Sequence, residues 1–265
     1  MTGDGVNDAA ALRSAHIGVA MGVTGTEVTK EAGAMVLTDN NFATVVRAVR
    51  EGRAIFDNII KFVRFQLSTN IGAILTFLGA SIVGMPAPLN AIQVLWVNII
   101  MDGPPAMALG VDPARPELME EPPRRPGERI LHRTRLLRML RAGLVMATTT
   151  LTVLGLALDR YPQTVALTMA FTTFVLCQFF NVLNARAEQQ TVFTRHLYTN
   201  RWLWASLAAV VVLQVLVVQL PALHTLFDTA ALTPGQWATC LAAAFTVLWT
   251  EEAAKLLRRA TQAGS

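Results

Sequence analysis

Cysteine and ionisable side chains are both scarce in this chain of 265 residues. The two cysteines, Cys177 and Cys240, stand in apolar runs, so the sequence offers neither a disulfide framework nor a cysteine metal site. The four histidines show no spacing typical of metal ligands. Charged residues make up 15% of the chain, against about 25% in an average soluble domain. This composition excludes an ordinary soluble globular protein and indicates a membrane protein with a small polar part.

Long apolar runs are abundant instead. Six of them reach the length needed to cross a bilayer, which is about 20 residues. They cover 62–84, 90–111, 136–158, 164–185, 202–220 and 236–256. A short segment around Met85 to Pro88 separates the first two, which predicts a helical hairpin. We therefore expect a multi-pass protein surrounded by membrane lipid, with no nucleic-acid partner.

Positive charge is distributed unevenly between the connecting segments. Arginine and lysine gather in 112–135, in 186–201 and after residue 254, whereas 85–89 and 221–235 contain none. Cytoplasmic loops carry the excess of Lys and Arg, so both termini are expected in the cytoplasm. The start of the chain also lacks the apolar run of a signal peptide.

The first 60 residues have a different pattern. A turn is expected at Gly3 to Gly5 and a short helix from Asn7 to Ser14. A strand is then expected at Ile17–Met21, a helix at Thr26–Gly33 and a second strand at Ala34–Leu37. From Phe42 to Asn70 the period is helical, with only Gly52 as a breaker, and the helix runs into the first span. Alternating strands and helices are typical of a parallel α/β domain, but this one is too short to close its own core, which predicts a missing upstream part.

Asp102 is the only ionisable residue between residues 65 and 110. Such a residue at membrane depth is costly and marks an ion pathway by default. Asn98 precedes it by four residues and is expected on the same helix face. The run Gly103-Pro104-Pro105 must interrupt the hydrogen-bond ladder, which frees carbonyl groups for a cation.

Neutral oxygen donors on two other spans extend this candidate site. Asn70 lies on the first span at a similar depth, and Gln178 lies on the fourth span. The alternative is that Asn70, Asn98 and Gln178 only join helices through hydrogen bonds.

Four motifs, in order, resemble P-type cation-transporting ATPases. The string TGDGVND at residues 2–8 resembles their hinge motif. FQLSTN at 65–70, LWVNIIMDGPPA at 95–106 and the segment 174–186 resemble their fifth, sixth and eighth transmembrane helices. The resemblance covers essentially the whole chain and corresponds to the C-terminal third of such a pump. It implies a mainly α fold: a six-helix transmembrane bundle, preceded by the C-terminal part of an α/β, haloacid-dehalogenase-like phosphorylation domain.

The implied domain organisation follows the chain. Residues 1–55 would close the phosphorylation domain, 56–111 would form the hairpin with the cation site, and 112–135 a cytoplasmic loop. Residues 136–257 would supply four further spans, and 258–265 a cytoplasmic tail.

The resemblance also assigns roles to the acidic turn. Asp4 would hold Mg²⁺ beside an acyl phosphate, with Asn7 and Asp8 ordering the loop, Asp8 as a second Mg²⁺ ligand, and Gly3 and Gly5 in contact with the cofactor. Two carboxylates on a glycine-containing turn suit Mg²⁺. An acidic surface turn is the alternative. Ala10 departs from the family, which usually has proline there, and this is expected to loosen the start of the next helix.

Departures from two-site calcium pumps bear on the transported ion. Ala73 and Gln178 stand where those pumps have glutamates, and Met101 stands where they have a threonine. The remaining pair, Asn98 and Asp102, resembles the single site of plasma-membrane and secretory-pathway pumps. One Ca²⁺ per cycle is therefore expected, with Mn²⁺ or another cation as the alternative.

Several parts of the family are absent. The chain contains no DKTG and no TGES sequence. ATP would be bound mainly by missing domains, so the chain alone is expected to be inactive and to act with a missing N-terminal part. We expect the plasma membrane of a bacterium as its location. The alternative is a non-enzymatic membrane remnant, or a partner of a separately encoded N-terminal half.

Overall fold

The computed structural model describes residues 1–123, 130–188 and 191–263, in two compact units. The first unit is Met1–Ala54 together with Pro116–Pro122, and the second is Ile55–Arg115 together with Pro123–Ser265. Arg124, Arg125 and Arg129 of the predicted cytoplasmic loop, and the last two residues of the predicted tail, lie outside the described residues.

The first unit is built on a three-stranded parallel sheet in the order β1-β2-β3. In chain order it contains β1 (Thr2–Gly3), a 3₁₀ turn (Val6–Asp8), α1 (Ala9–Ser14), β2 (Val19–Met21), α2 (Glu27–Ala32), β3 (Met35–Leu37), the start of α3 and a second 3₁₀ turn (Pro116–Met119). The two predicted strands are confirmed. The strand β1 was not predicted, because two residues carry no periodicity; it forms by pairing with β2, Thr2 opposite Val19.

Local capping explains the bounds of α2. Thr26 accepts a hydrogen bond from the backbone N–H of Thr29 at 3.3 Å, and Gly33 ends the helix, as predicted. The buried apolar core of this unit is small and consists of Leu12, Ala20 and Ala32.

The second unit is helical. It contains α3 (Phe42–Ile82, whose first residues belong to the first unit), α4 (Ala91–Trp96), a π-helix (Val97–Met101), α5 (Gly103–Gly110), α6 (Arg133–Leu158), α7 (Gln163–Arg186), a 3₁₀ turn (Arg195–Tyr198), α8 (Arg201–Gln219), α9 (Pro221–Phe227) and α10 (Pro234–Ala263). The predicted continuity of α3 into the first span is confirmed. At 1.5 Å per residue, its 41 residues extend about 60 Å.

Five helical segments are long and apolar enough to cross a membrane, among the residues that the structure describes. They are Phe42–Ile82, Ala91–Gly110, Arg133–Leu158, Gln163–Arg186 and Arg201–Gln219. They coincide with the first five predicted spans. The sixth predicted span lies in α10, which is long enough but too polar to be counted with them, so six spans stay a prediction.

The helix α7 lies at the centre of this unit. It is buried along most of its length and packs against α6 and α10. Phe171 and Phe174 of α7 are completely buried in the main apolar cluster. Cys177 and Cys240 are buried free thiols, which agrees with their interpretation as small core residues.

The helices α3 and α6 approach each other at a pair of glycines. A Cβ atom on Gly143 would lie 2.9 Å from the backbone nitrogen of Gly72 and 2.7 Å from Cγ2 of Ile71. Small residues at a helix crossing allow this close approach. The contact fixes the register of the two helices two residues beyond Asn70.

Candidate functional site

The acidic turn of the first unit follows strand β1 directly, at the carboxyl end of the parallel sheet. The carboxylate of Asp8 accepts hydrogen bonds from the backbone N–H groups of Asp4, at 3.1 Å, and of Gly5, at 3.0 Å. A Cβ on Gly3 would lie only 2.6 Å from Cβ of Asp8, so this position requires glycine. Carboxyl ends of strands are where open α/β sheets bind ligands. The side chains of Asp4 and Asn7 are exposed there.

Thr26 and Thr29, to which the sequence analysis gave no functional role, donate hydrogen bonds to the backbone carbonyls of the same turn. The buried hydroxyl of Thr29 donates to the carbonyl of Gly5 at 3.0 Å and lies 3.3 Å from that of Asp4. The backbone N–H of Thr26 donates to the Asp4 carbonyl at 3.1 Å. Thr26 was predicted only as the start of a helix, and its contact with a turn 22 residues earlier leaves no signal in the sequence.

The donor set of this turn fits Mg²⁺. Asp4 presents an exposed carboxylate, and Asp8 uses Oδ2 for the two backbone N–H groups and has Oδ1 as a second acceptor. Within the described ranges, no group of three or more His, Cys, Asp or Glu side chains could form a metal cage. One or two carboxylates are what Mg²⁺ usually takes from a protein when phosphate and water supply the rest.

In the second unit, Asp102 lies at a break between two helices. The residues Val97–Met101 form a π-helix, and the N–H of Asp102 donates to the carbonyl of Val97, five residues earlier, at 2.9 Å. Helix α5 then begins with prolines in its first turn. Because Pro104 and Pro105 have no N–H, the carbonyls of Ile100 and Met101 lack their usual donor four residues on. The predicted interruption of the α-helical hydrogen bonds is therefore confirmed, and a π-helix precedes it.

Asp102 and Gln178 are both buried without hydrogen-bond partners. In the part of the chain that the structure describes, neither carboxylate oxygen of Asp102 has a partner, and neither does Nε2 or Oε1 of Gln178. Asp102 has no exposed surface and Gln178 is 3% exposed. Gln178 lines a small cavity together with Phe65, Met101, Pro105, Val175 and Leu207. Since buried polar groups are normally paired, this is the arrangement expected of a site that takes a ligand.

Asn98 and Asp102 do not share one environment. Asn98 is exposed, whereas Asp102 is completely buried. Residues four positions apart lie near one face of an α-helix and also of the wider π-helix, so this difference in exposure does not place the two side chains on different faces. The common face of Asn98 and Asp102 and the ligand role of Asn98 therefore stay predictions.

Asn181, which sequence reasoning gave no role, connects the other two helices of the candidate site. Its side-chain N–H₂ donates to the hydroxyl of Ser68 at 2.8 Å and lies 3.3 Å from that of Thr69. Asn70 follows these residues on α3 and is half-buried, and Gln178 precedes Asn181 by three residues on α7. The structure thus brings the helix turns of Asn70 and Gln178 together.

A buried charge cluster around Asp112 anchors the segment that follows Asp102. The Asp112 carboxylate, completely buried, lies 2.7 Å from Nζ of Lys61 and 2.8 Å from Nε of Arg186. Asn200 donates to the same carboxylate at 2.8 Å and to the carbonyl of Ala108 at 2.8 Å. The cluster joins α3, the end of α5, α7 and the start of α8, so it sets the position of α5.

A histidine at the edge of this cluster adds little charge. Burial, together with the nearby Arg186, lowers the pKa of His196, although Asp112 opposes this shift. Nε2 of His196 lies 3.9 Å from the carboxylate of Asp112. The imidazole is therefore neutral near pH 7, and Lys61 and Arg186 supply the countercharge.

The sequence of this chain is similar to those of known cation-transporting ATPases. A family model described as cation transporting ATPase, C-terminus, matches residues 86–257. The chain is 43% identical to the calcium-transporting ATPase of Bacillus subtilis (strain 168) over 89% of its own length and 27% of the relative. It is 44% identical to calcium-transporting ATPase type 2C member 1 of Homo sapiens, over 88% of the chain and 26% of the relative. It is 42% identical to calcium-transporting ATPase 1 of Schizosaccharomyces pombe, over 98% of the chain and 29% of the relative. The chain thus spans little more than a quarter of each of these relatives.

Proposed function

Because this chain belongs to the cation-transporting ATPase family, we propose that it forms the C-terminal region of an ATP-driven pump that exports Ca²⁺. The observation that carries the proposal is Asp102, a buried carboxylate with no hydrogen-bond partner among the described residues, placed at a π-turn inside an apolar helix. A calcium ion would satisfy both of its oxygens.

The transported ion would bind between α5 and α7. Calcium takes six to eight oxygen ligands. Asp102 supplies the charge, Gln178 supplies an amide oxygen, and the carbonyls of Ile100 and Met101 lack their usual donors. Asn70 and Asn98 would contribute further amide oxygens, and upstream spans of the whole pump would complete the site. With a single carboxylate on these helices, we expect one Ca²⁺ per ATP.

The acidic turn of the first unit would serve phosphoryl transfer. Asp4 and Asp8 would hold Mg²⁺, which neutralises the charge of a phosphate at the carboxyl end of the sheet. Gly3 and Gly5 keep the backbone close to Asp8, and Thr29 holds the turn in place. This part would belong to a haloacid-dehalogenase-like phosphorylation domain, with the phosphorylated aspartate and the nucleotide site supplied by the rest of the pump.

We further propose six spans with both termini in the cytoplasm of a bacterium, in the plasma membrane. The distribution of arginine and lysine between the loops supports this topology. The helix α10 is 30 residues long, which is enough to cross a bilayer as the sixth span.

A chimera tests the proposal directly. The C-terminal quarter of the Bacillus subtilis relative is replaced by this chain, and phosphoenzyme formation from ATP is measured against calcium concentration. The chimera is expected to form a calcium-dependent, hydroxylamine-sensitive phosphoenzyme. Asp102→Asn, which keeps the size and removes the charge, is expected to abolish the calcium dependence. Asp159→Asn, on an exposed loop after α6, is the matched control and is expected to behave as the parent.

Each part of the proposal has its own contrary result. Calcium activation that survives in Asp102→Asn would refute the cation site, and two bound Ca²⁺ per phosphorylation site would refute the single-ion stoichiometry. Asp4→Ala is expected to abolish phosphorylation by inorganic phosphate while calcium binding persists; a normal phosphoenzyme in that variant would refute the Mg²⁺ role. A response to Mn²⁺ and not to Ca²⁺ would identify the alternative ion.

A further inference from the structure

The second unit contains a second charged cluster, remote in sequence from the candidate cation site. Its positive members lie on α3, α6 and α10, and its carboxylates lie after α7 and on α10. We call it the arginine cluster: Arg64, Arg135, Arg138, Arg141 and Arg258, with Glu188 and Glu251.

Positive charge exceeds negative charge in this cluster. Glu188 lies 3.1 Å from Arg135, 3.0 Å from Arg138 and 3.9 Å from Arg64, while Glu251 pairs with Arg141. Two carboxylates thus serve five guanidinium groups. The nearby Lys255 does not change this balance, because it forms its own pair with Glu252 at 2.7 Å.

Two guanidinium groups of the cluster also have unsatisfied donors. Among the residues that the structure describes, neither Nε of Arg141 nor one terminal nitrogen of Arg258 has a hydrogen-bond partner, although both atoms are buried. Arg258 is close enough to Arg138 and Arg141 to be repelled by them. Leaving a buried donor unpaired is costly, and a charged donor more so. An anion with several oxygens would satisfy both groups and relieve the repulsion.

The surroundings indicate the source of that anion. Leu137 and Leu140 of α6 are 59% and 45% exposed, within one turn of Arg138 and Arg141. On α10, Leu257 is 69% exposed and adjoins Arg258 in the sequence. Basic pockets between membrane helices next to apolar surface are typical of lipid headgroup sites.

We propose that the arginine cluster binds the phosphate of an anionic phospholipid, whose acyl chains lie against the exposed leucines of α6 and α10. Arg141 and Arg258 donate to the phosphate oxygens, and Arg138 contributes charge. The site is independent of ion transport and requires no upstream part of the pump.

Lipid titration of the purified 265-residue chain in a neutral detergent tests this proposal. Binding of dioleoylphosphatidylglycerol and of dioleoylphosphatidylcholine is followed by native mass spectrometry. The wild type is expected to prefer phosphatidylglycerol. Arg258→Gln is expected to weaken its binding about fivefold, and Arg141→Gln with Arg258→Gln about 25-fold, with phosphatidylcholine unaffected. Arg133→Gln, an exposed arginine on the same α6, is the matched control and should change binding less than twofold.

Two further measurements distinguish a lipid phosphate from free inorganic phosphate. They use the unaltered chain, so a variant that fails to fold does not affect them. Excess inorganic phosphate should not displace the lipid; displacement would show a free-anion site and overturn the lipid assignment. In the unaltered chain, brominated phosphatidylglycerol should quench the fluorescence of Trp249, which is 60% exposed on α10, more strongly than brominated phosphatidylcholine does. Equal quenching, or equal binding of the two lipids by the wild type, would overturn the proposal.

Discussion

The substitution Asp112→Asn tests whether the buried charge cluster around Asp112 anchors α5. The substitution keeps the size of the side chain and removes the only carboxylate that contacts both Lys61 and Arg186 among the described residues. Lys61 keeps Asp57, at 3.0 Å. Arg186 keeps the carbonyl of Leu197 and the hydroxyl of Thr199, but neither group carries a charge.

The expected loss of stability in Asp112→Asn follows from the burial of the two charges. The side chain of Arg186 is 2% exposed and that of Asp112 is fully buried. Removing one partner from such a pair costs about 3–5 kcal/mol, because the other charge remains buried without its countercharge. For a domain of this size, each kcal/mol corresponds to about 2–4 °C in the unfolding midpoint. A fall of about 6–20 °C is therefore expected.

Thermal unfolding in detergent, followed by circular dichroism, measures the effect. Asp159→Asn makes the same chemical change at an exposed position and is expected to leave the midpoint within the error. Adding Arg186→Met to Asp112→Asn should recover part of the loss, since it removes the buried charge that has lost its countercharge. If Asp112→Asn were no more harmful than Asp159→Asn, the argument that this cluster positions α5 would be wrong.

Three further outcomes are expected for the purified chain. Asp102→Leu should raise the unfolding midpoint in calcium-free buffer, because it replaces a buried carboxyl group without a described hydrogen-bond partner by an apolar side chain of similar size; an unchanged midpoint would show that the unpaired carboxyl group costs no stability. Gly143→Ala should lower stability to denaturant by about 1–3 kcal/mol through its backbone clash, whereas Gly52→Ala, with nothing within 4 Å, should be neutral or stabilising; equal effects would exclude the close crossing. Burial would raise the pKa of Glu188, but the surrounding arginines outweigh it and hold that pKa below its ordinary value. Its contribution to stability is therefore complete above about pH 4.3 and is lost as the pH falls further, and Glu188→Gln should show a smaller acid-induced loss in thermal unfolding.

Local sequence signals predicted the elements of this fold well. The continuity of α3 followed from a helical period without a strong breaker, and the predicted helix from Thr26 to Gly33 agrees with α2 and its two flanking residues. The strand β1 was missed because its two residues are stabilised by pairing with a strand 17 positions later, which local patterns do not encode.

The candidate cation site was predicted less completely. The isolation of Asp102 in an apolar run identified the carboxylate, and the two prolines showed that the ladder must fail. They did not show that a π-helix precedes the interruption, or that Asn98 is exposed while Asp102 is buried. The anchor at Asp112 was not predicted, because its partners are 51, 74 and 88 positions away in the chain.

The π-helix has a consequence for how this segment tolerates changes in length. Each turn of a π-helix holds about one residue more than a turn of an α-helix. A single-residue deletion between Val97 and Met101 could therefore be absorbed by a return to α-helical hydrogen bonding, leaving both flanking helices intact. The residues before the deletion would keep close to their present orientation relative to Asp102, since the wide turn already holds the surplus residue. The same deletion in a regular α-helix would rotate one part of the helix by about 100° relative to the other, so the π-helix gives this segment a tolerance of changes in length that a regular α-helix lacks.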